Sequence, residues 1–158
     1  MFTPVGIALG SNLGNRTAEL EAAFAFLQHL AADDEILRST IIETAPVDCP
    51  PGSAPFLNAV AEIQVDPGNL PPEVLLGKLQ AFEQQRGRAT ERERNAPRPL
   101  DLDVLYYGDC VLRTATLVIP HPRLTERRFV LEPLAQIRPE LVLPGQTRSV
   151  RELLVTGT

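Results

Sequence analysis

The order of two apolar patterns along the chain limits the folds that it can adopt. Apolar residues alternate with other residues around Val5, Ile7 and Leu9 and again over residues 56–65, and this period of two predicts strands. Between them, apolar side chains recur at three- and four-residue steps over residues 20–31, which predicts a helix. The complete predicted order is strand, helix, strand, strand, helix, strand and a mixed tail. This order indicates an α+β fold with a mainly antiparallel sheet and helices packed on it.

Local signals place the remaining elements. Thr17 is the predicted N-cap of the first helix, and Pro71 and Pro72 suit the first turn of the second helix. Residues 45–55 contain four prolines and predict a stiff loop, whereas residues 86–99 lack apolar periodicity and predict a mobile loop. The other predicted segments are strands at residues 36–44, 100–107 and 117–119 and helices at residues 129–137 and 150–154.

Length and charge restrict the class of protein. A chain of 158 residues suits one domain, predicted over residues 1–158, and can bury a core without disulfides. The net charge of −5 argues against a general nucleic-acid or membrane-surface binder. Cys49 and Cys110 lack zinc-ligand spacing, and the sequence has neither a signal peptide nor a run of about 18 apolar residues. We therefore expect a soluble cytoplasmic protein with reduced thiols.

Two aspartates open the predicted strand at residues 100–107. Asp101 and Asp103 are two residues apart, so they point to the same face of a strand while Leu102 points to the other. At ~6 Å and an effective dielectric of about 20 their repulsion is roughly 3 kcal/mol, so the pair needs a compensating cation. Mg²⁺ with phosphate oxygens would supply it. An edge strand whose aspartates face water is the alternative.

Basic residues flank this pair on both sides. Residues 86–98 hold five arginines against two glutamates. A guanidinium binds phosphate through two parallel hydrogen bonds, so this loop suits a phosphate ligand. The alternative for any single loop arginine is a solvated side chain. A second set of donors follows the strand and consists of His121, Arg123, Arg127 and Arg128.

Three motifs occur at the spacings of a known family. A Gly-Ser-Asn-Leu-Gly loop at residues 10–14, an Arg-x-x-Pro-Arg-x-Leu-Asp-Leu-Asp block at residues 94–103 and an Ile-Pro-His element at residues 119–121 resemble the 6-hydroxymethyl-7,8-dihydropterin pyrophosphokinases of folate biosynthesis. The resemblance implies transfer of diphosphate from ATP to the pterin hydroxymethyl group, with release of AMP. The predicted strand order then fits a ferredoxin-like βαββαβ core in a three-layer αβα sandwich. We expect a monomer that binds these two small molecules and neither nucleic acid nor membrane.

The resemblance also implies roles for residues on the phosphate side. Asp101 and Asp103 would be catalytic and would hold two Mg²⁺ ions that bridge the phosphates of ATP. Arg88 and Arg98 would be catalytic from a loop that closes over ATP. The residues implied in ATP binding are Gln80, Arg94, His121 and Arg127, and Glu83 would support the site. A solvent-facing helix end is the alternative for Gln80 and Glu83.

The implied pterin pocket combines aromatic and polar residues. Phe56 and Phe129 would sandwich the flat ring, because aromatic rings stack on planar heterocycles. Asn58 would read an edge of the pterin, since its amide both donates and accepts hydrogen bonds. The pocket would also be lined by Thr44, Pro46 and Val47. The alternative for the two phenylalanines is a place in the hydrophobic core.

The chain departs from the family pattern in and near the basic loop, at Thr90, Asn95, Ala96 and Pro122. These departures bear on how tightly the loop closes rather than on the reaction class. Two other functions fit parts of the sequence. An RNA-binding module would use the ferredoxin-like strand order, but the net charge and the missing aromatic signature argue against it. A relative that binds pterin without catalysis would not need the aspartate pair.

Overall fold

The structure is a computed structural model that describes residues 1–12, 14–44, 55–87 and 100–156. The strands are β1 Thr3–Ser11, β2 Leu37–Arg38, β3 Ile42–Thr44, β4 Phe56–Val65, β5 Asp101–Tyr107, β6 Leu112–Arg113 and β7 Val118–Ile119. The helices are α1 Arg16–Leu30, α2 Pro72–Gln85, α3 Arg128–Ile137 and α4 Val150–Thr156, with a 3₁₀ turn at Leu124–Glu126. The strands at residues 56–65 and 101–107 confirm the alternating patterns read from the sequence.

The main sheet has the strand order β2-β4-β1-β5, with β3 also paired to β4. All these pairs are antiparallel. The long central strands β1 and β4 pair from Thr3 opposite Val65 to Ser11 opposite Leu57. Together with α1 and α2, this arrangement confirms the predicted α+β fold with a mainly antiparallel sheet and a ferredoxin-like strand order.

Helices cover both faces of the sheet. The first face carries Val5, Ile7 and Leu9 of β1, and the helices α1 and α2 pack against it through a set of buried apolar residues: Leu20, Ala23, Phe24, Leu27, Leu75 and Leu79. The second face carries Val60, Leu105 and Tyr106, and packs against Val130, Leu131, Leu134, Val150 and Leu153 of α3 and α4. The predicted three-layer αβα sandwich is therefore confirmed.

An extra residue in β5 changes its facing pattern. Ile7 pairs with Val104 whereas Gly6 pairs with Tyr106, so Leu105 has no partner of its own on β1. Leu105 and Tyr106 consequently both belong to the cluster on the second face. Before the bulge, the side chains of β5 that include the aspartates alternate between the two faces of the sheet. At the bulge, two consecutive large side chains, Leu105 and Tyr106, join the second face.

Two local predictions are wrong, and one short strand was not predicted. Thr17 is not the N-cap, because α1 begins at Arg16 and the side chain of Asn15 accepts a hydrogen bond from the Ala18 amide at 3.1 Å. Residues 36–44 form two short strands rather than one, since the Ser39 hydroxyl accepts from the Val60 amide at 2.9 Å in place of a backbone carbonyl. The two-residue strand β6 was not predicted, because so short a segment carries no period.

The two predicted loops lie largely outside the described residues, which omit residues 45–54 and 88–99. None of the helices in the described ranges has the length and the apolar run that a membrane crossing requires.

Candidate active site

Strand register brings the two predicted halves of the site onto one face of the sheet. Gly10 pairs with Asn58 of β4 on one side and with Asp101 of β5 on the other. Ala8 pairs in the same way with Val60 and with Asp103. Directly opposed residues of antiparallel strands share a face, so Asn58 and both aspartates lie on the second face. The expectation that the aspartates point the same way is confirmed by this register.

Gly10 keeps the space between the two halves open. A Cβ atom at this position would lie 3.2 Å from Oδ1 of Asn58 and 3.7 Å from Cδ1 of Phe56. Any side chain here would project into the space between Asn58 and Asp101. Sequence analysis does not reveal this role of Gly10, since only the strand register shows which residues flank it.

Thr44, Phe56 and Asn58 form one polar and aromatic wall. Thr44 pairs with Phe56, and the Asn58 side-chain amide donates to the Thr44 hydroxyl at 2.7 Å. Asn58 is buried, whereas Phe56 is half-buried and belongs to neither hydrophobic cluster. Phe129 is also half-buried and lies at the margin of the second cluster. A place in the hydrophobic core is therefore a weaker alternative for Phe56 than for Phe129.

Glu83 supports the strand that carries the aspartates. The carboxylate of this buried residue accepts a hydrogen bond from the Leu102 amide at 2.6 Å. The donor lies between Asp101 and Asp103, so α2 fixes the backbone from which both half-buried carboxylates project. A charged acceptor makes such a hydrogen bond stronger than one between neutral groups.

His121 is held against the same strand by its backbone. Its amide donates to the Leu105 carbonyl at 2.9 Å, and its Nδ1 accepts from the Arg123 amide at 3.2 Å. Burial, and secondarily the Arg127 charge, lower the pKa of the imidazole below 6.5, although Asp101 opposes this shift. The neutral ring then carries its proton on Nε2, because Nδ1 is the acceptor.

Arg127 and Phe129 stand together at the start of α3. The Arg127 guanidinium lies 5.7 Å from the centroid of the Phe129 ring, within the range of a cation–π contact. The charges of Arg127 and Asp101 both act on the His121 imidazole, so these three side chains lie near one another. Together with Phe129 they combine anionic, cationic and aromatic groups.

One further predicted residue within the described ranges is not joined to this group. Gln80 is exposed on α2, and no hydrogen bond or ion pair in the described ranges connects it with the other predicted residues. Arg88, Arg94, Arg98, Pro46 and Val47 lie outside the described residues. Within the part of the chain that the structure describes, no group of three or more His, Cys, Asp or Glu side chains could hold a metal ion by itself.

Comparison with known proteins identifies the family. The model of the 7,8-dihydro-6-hydroxymethylpterin-pyrophosphokinase (HPPK) family matches residues 6–139. The chain belongs to the HPPK family. A 2-amino-4-hydroxy-6-hydroxymethyldihydropteridine pyrophosphokinase of Bacillus subtilis is 44% identical over 131 residues, which make up 83% of this chain and 75% of that protein. The enzyme of the same name in Haemophilus influenzae is 38% identical over 139 residues, or 88% of this chain and 84% of that protein.

Solved structures support the fold independently. A crystal structure of Plasmodium falciparum HPPK-DHPS superposes on 98% of this chain with a TM-score of 0.73 and 14% sequence identity. At this identity the likeness concerns the fold alone. This chain spans 45% of that solved chain, so it is less than half its length.

Proposed function

We propose that this HPPK-family chain transfers the diphosphate group of ATP to 6-hydroxymethyl-7,8-dihydropterin in the synthesis of tetrahydrofolate. The hydroxymethyl oxygen attacks the β-phosphorus of ATP and forms a new P–O bond. The bond from that phosphorus to the α–β bridging oxygen breaks, AMP leaves with that oxygen, and the hydroxyl proton passes to solvent. The observation that carries the proposal is the placement of Asn58 and the two aspartates on one face, on either side of Gly10.

The aspartate pair suits a magnesium site. Two half-buried carboxylates on one face supply hard oxygen ligands, and phosphate oxygens and water would complete the coordination. We propose that Asp101 and Asp103 hold two Mg²⁺ ions. When bound, Mg²⁺ supplies neutralisation of the phosphate charge, which is the main requirement of phosphoryl transfer.

Residues beside the aspartates would bind the triphosphate. A neutral His121 donates a hydrogen bond from Nε2, and Arg127 supplies a permanent positive charge. Gln80 and Arg94 are proposed to contact ATP, and Arg88 and Arg98 to stabilise the charge that develops during transfer. Removing Arg98 should slow transfer at least about tenfold, which corresponds to about 1.4 kcal/mol.

The opposite wall would bind the pterin. A flat ring between Phe56 and Phe129 would place its polar edge against Asn58 and Thr44, whose mutual hydrogen bond orients the amide. Pro46 and Val47 are proposed to complete the pocket. This arrangement directs the hydroxymethyl group towards the aspartates across Gly10.

We further propose that residues 1–158 act as a single domain and as a cytoplasmic monomer. Helices of the same chain cover both faces of the described sheet, so the fold buries its main apolar surfaces without a partner. Sedimentation at the mass of one chain would agree with this proposal, whereas a stable dimer at working concentrations would contradict it.

An assay for AMP tests the reaction. Mg²⁺, ATP and 6-hydroxymethyl-7,8-dihydropterin should yield AMP and the pterin diphosphate in equal amounts, and omission of the pterin or of Mg²⁺ should stop both. Formation of ADP, or AMP release without any pterin product, would reject the proposed transfer.

Isosteric variants test the acidic pair. Asp101→Asn and Asp103→Asn should each reduce kcat at least about a hundredfold, because an amide neither binds Mg²⁺ as strongly nor offsets its charge. Asp109→Asn is the matched control, since Asp109 is exposed in the turn after β5 and should leave kcat unchanged. Full activity in either of the first two variants would remove that aspartate from the site.

A further inference from the structure

One arginine on the first face ties together two strands whose other side carries the proposed pterin wall. Arg16 is the first residue of α1. Its Nη1 donates to the Pro55 carbonyl at 2.7 Å and to a carboxylate oxygen of Glu43 at 3.3 Å. The Arg16 side chain is 29% exposed, so it is shielded more than the 59% exposed Glu43.

The two acceptors are sequence neighbours of the residues proposed to contact the pterin. Glu43 directly precedes Thr44 in β3, and Pro55 directly precedes Phe56 in β4. Thr44 and Phe56 pair with each other, so the guanidinium links β3 to the residue that precedes β4, beside this pair. The link comes from behind the sheet, because Glu43 pairs with Leu57, which packs against the first-face cluster.

Strand β3 is an edge strand that such a link would stabilise. Within the described residues it spans Ile42–Thr44, pairs with β4, and lies at the edge of the sheet. Edge strands open locally at low energetic cost. A charged donor that bridges the two strands opposes this opening at the end where Thr44 and Phe56 lie.

We propose that Arg16 is a positioning residue for the pterin pocket. It does not touch the substrate, and it acts by holding Glu43 and Pro55 so that Thr44 and Phe56 stay in register. This inference rests on the proposed function, since it assigns the pterin to the wall formed by Thr44, Phe56 and Asn58.

The test compares two matched arginine variants. Arg16→Met removes the donor but keeps an unbranched side chain at the start of α1. Arg38→Met is the control, because Arg38 also joins a strand to α1, through a bidentate ion pair with Glu21 at 2.8 and 3.0 Å, but does so in β2, where it pairs with Ala61. Arg16→Met should raise the KM for the pterin about tenfold, with the KM for ATP and kcat within about twofold of wild type. Arg38→Met should leave all three unchanged.

A third variant and a binding titration separate positioning from general destabilisation. Glu43→Gln keeps a side-chain oxygen that can accept from Arg16, as well as the contact to Pro55, and should retain the wild-type KM for the pterin. Pterin binding to the protein saturated with Mg²⁺ and α,β-methylene-ATP should weaken about tenfold in Arg16→Met alone. Equal effects of Arg16→Met and Arg38→Met, or a rise in both KM values, would overturn the inference. Failure of the wild type to form AMP from ATP and the pterin would instead reject the proposed function.

Discussion

At the scale of single residues, two glycines of β1 on the second face are required because a side chain at either position would meet neighbouring groups. Gly10 leaves open the space between Asn58 and Asp101. Gly6 lies under the ring of Tyr106, where a Cβ atom would come within 2.2 Å of Cε2. The ring belongs to a buried residue that cannot move into solvent, so the backbone or the ring would have to shift.

Gly6→Ala should therefore destabilise the fold. We expect a loss of about 3 kcal/mol in the free energy of unfolding, measured by urea denaturation, because overpacking a rigid core displaces well-packed groups. Gly77→Ala is the matched control. Its Cβ would meet no atom within 4 Å on an exposed position of α2, so alanine should be neutral or stabilise by about 0.5–1 kcal/mol. Equal stability of both variants would contradict the close approach at Gly6.

His121 should make stability depend on pH. Burial lowers its pKa in the folded protein, so the unfolded chain binds the proton more readily. The folded protein has its full stability with respect to His121 above pH 6.5, the ordinary pKa of histidine. Part of the free energy of unfolding is lost as the pH falls from 6.5 through the lower pKa of the folded protein. His121→Gln should flatten this part of the curve, measured by urea denaturation between pH 5 and 8 without nucleotide. An identical slope in both proteins would show that another group titrates.

At the scale of elements, polar contacts hold the carboxyl-terminal end of α3 against the sheet. Glu62 of β4, which is only 6% exposed, accepts hydrogen bonds from the Tyr106 hydroxyl at 2.7 Å and from Arg138, which ends α3. Burial and the neighbouring carboxylate raise the pKa of the Tyr106 hydroxyl, so it remains a donor. Gln136 adds a contact to the Thr40 amide at 2.8 Å. The amino end of the same helix carries Phe129.

Removing either donor to Glu62 should therefore destabilise the fold, and removing Arg138 should loosen α3. Arg138→Met should lower the free energy of unfolding by about 2 kcal/mol, less than for a fully buried pair because the Arg138 side chain is 32% exposed. Tyr106→Phe should cost about 1 kcal/mol. The double variant should differ from the sum, because both donors share one carboxylate. Strict additivity in a double-mutant cycle, measured by urea denaturation, would show that the two contacts act separately.

At the scale of the whole molecule, the two faces of the sheet have different tasks. The first face is a continuous apolar surface under α1 and α2. The second face is mainly apolar under α3 and α4, where Glu62 is a buried polar exception, and at the end where β1 finishes it carries Asn58 and the aspartates. A ligand bound at this end would contact β4, β5 and the start of α3 at once, and would therefore stabilise the whole fold.

Thermal unfolding in the presence of ligand tests this coupling. Mg²⁺ with α,β-methylene-ATP at about a hundred times its Kd should stabilise the folded protein by about 2.7 kcal/mol and raise Tm. The rise should vanish when EDTA replaces Mg²⁺, and also in Asp101→Asn. Stabilisation of Asp101→Asn equal to that of the wild type would place the nucleotide elsewhere.

Sequence and tertiary structure each decided a different part of this protein. The sequence alone predicts the strands β4 and β5 and the helix α1, because the spacing of apolar residues reflects local backbone geometry. The same rule set Asp101 and Asp103 on one face, and the motif spacings indicated the family. Competition between neighbouring side chains for backbone groups could not be predicted from the sequence. Asn15 rather than Thr17 caps α1, and the Ser39 hydroxyl interrupts the predicted strand at residues 36–44.

Only the tertiary structure decided which groups meet. Gly10 lies between Asn58 and Asp101 because two long-range strand pairings share one register, and a shift of a single residue would turn Asn58 away from the aspartates. Likewise, Arg16 contacts Pro55 across 39 positions of sequence. Such pairings depend on the free energy of the whole packed core, which no local stretch of sequence contains.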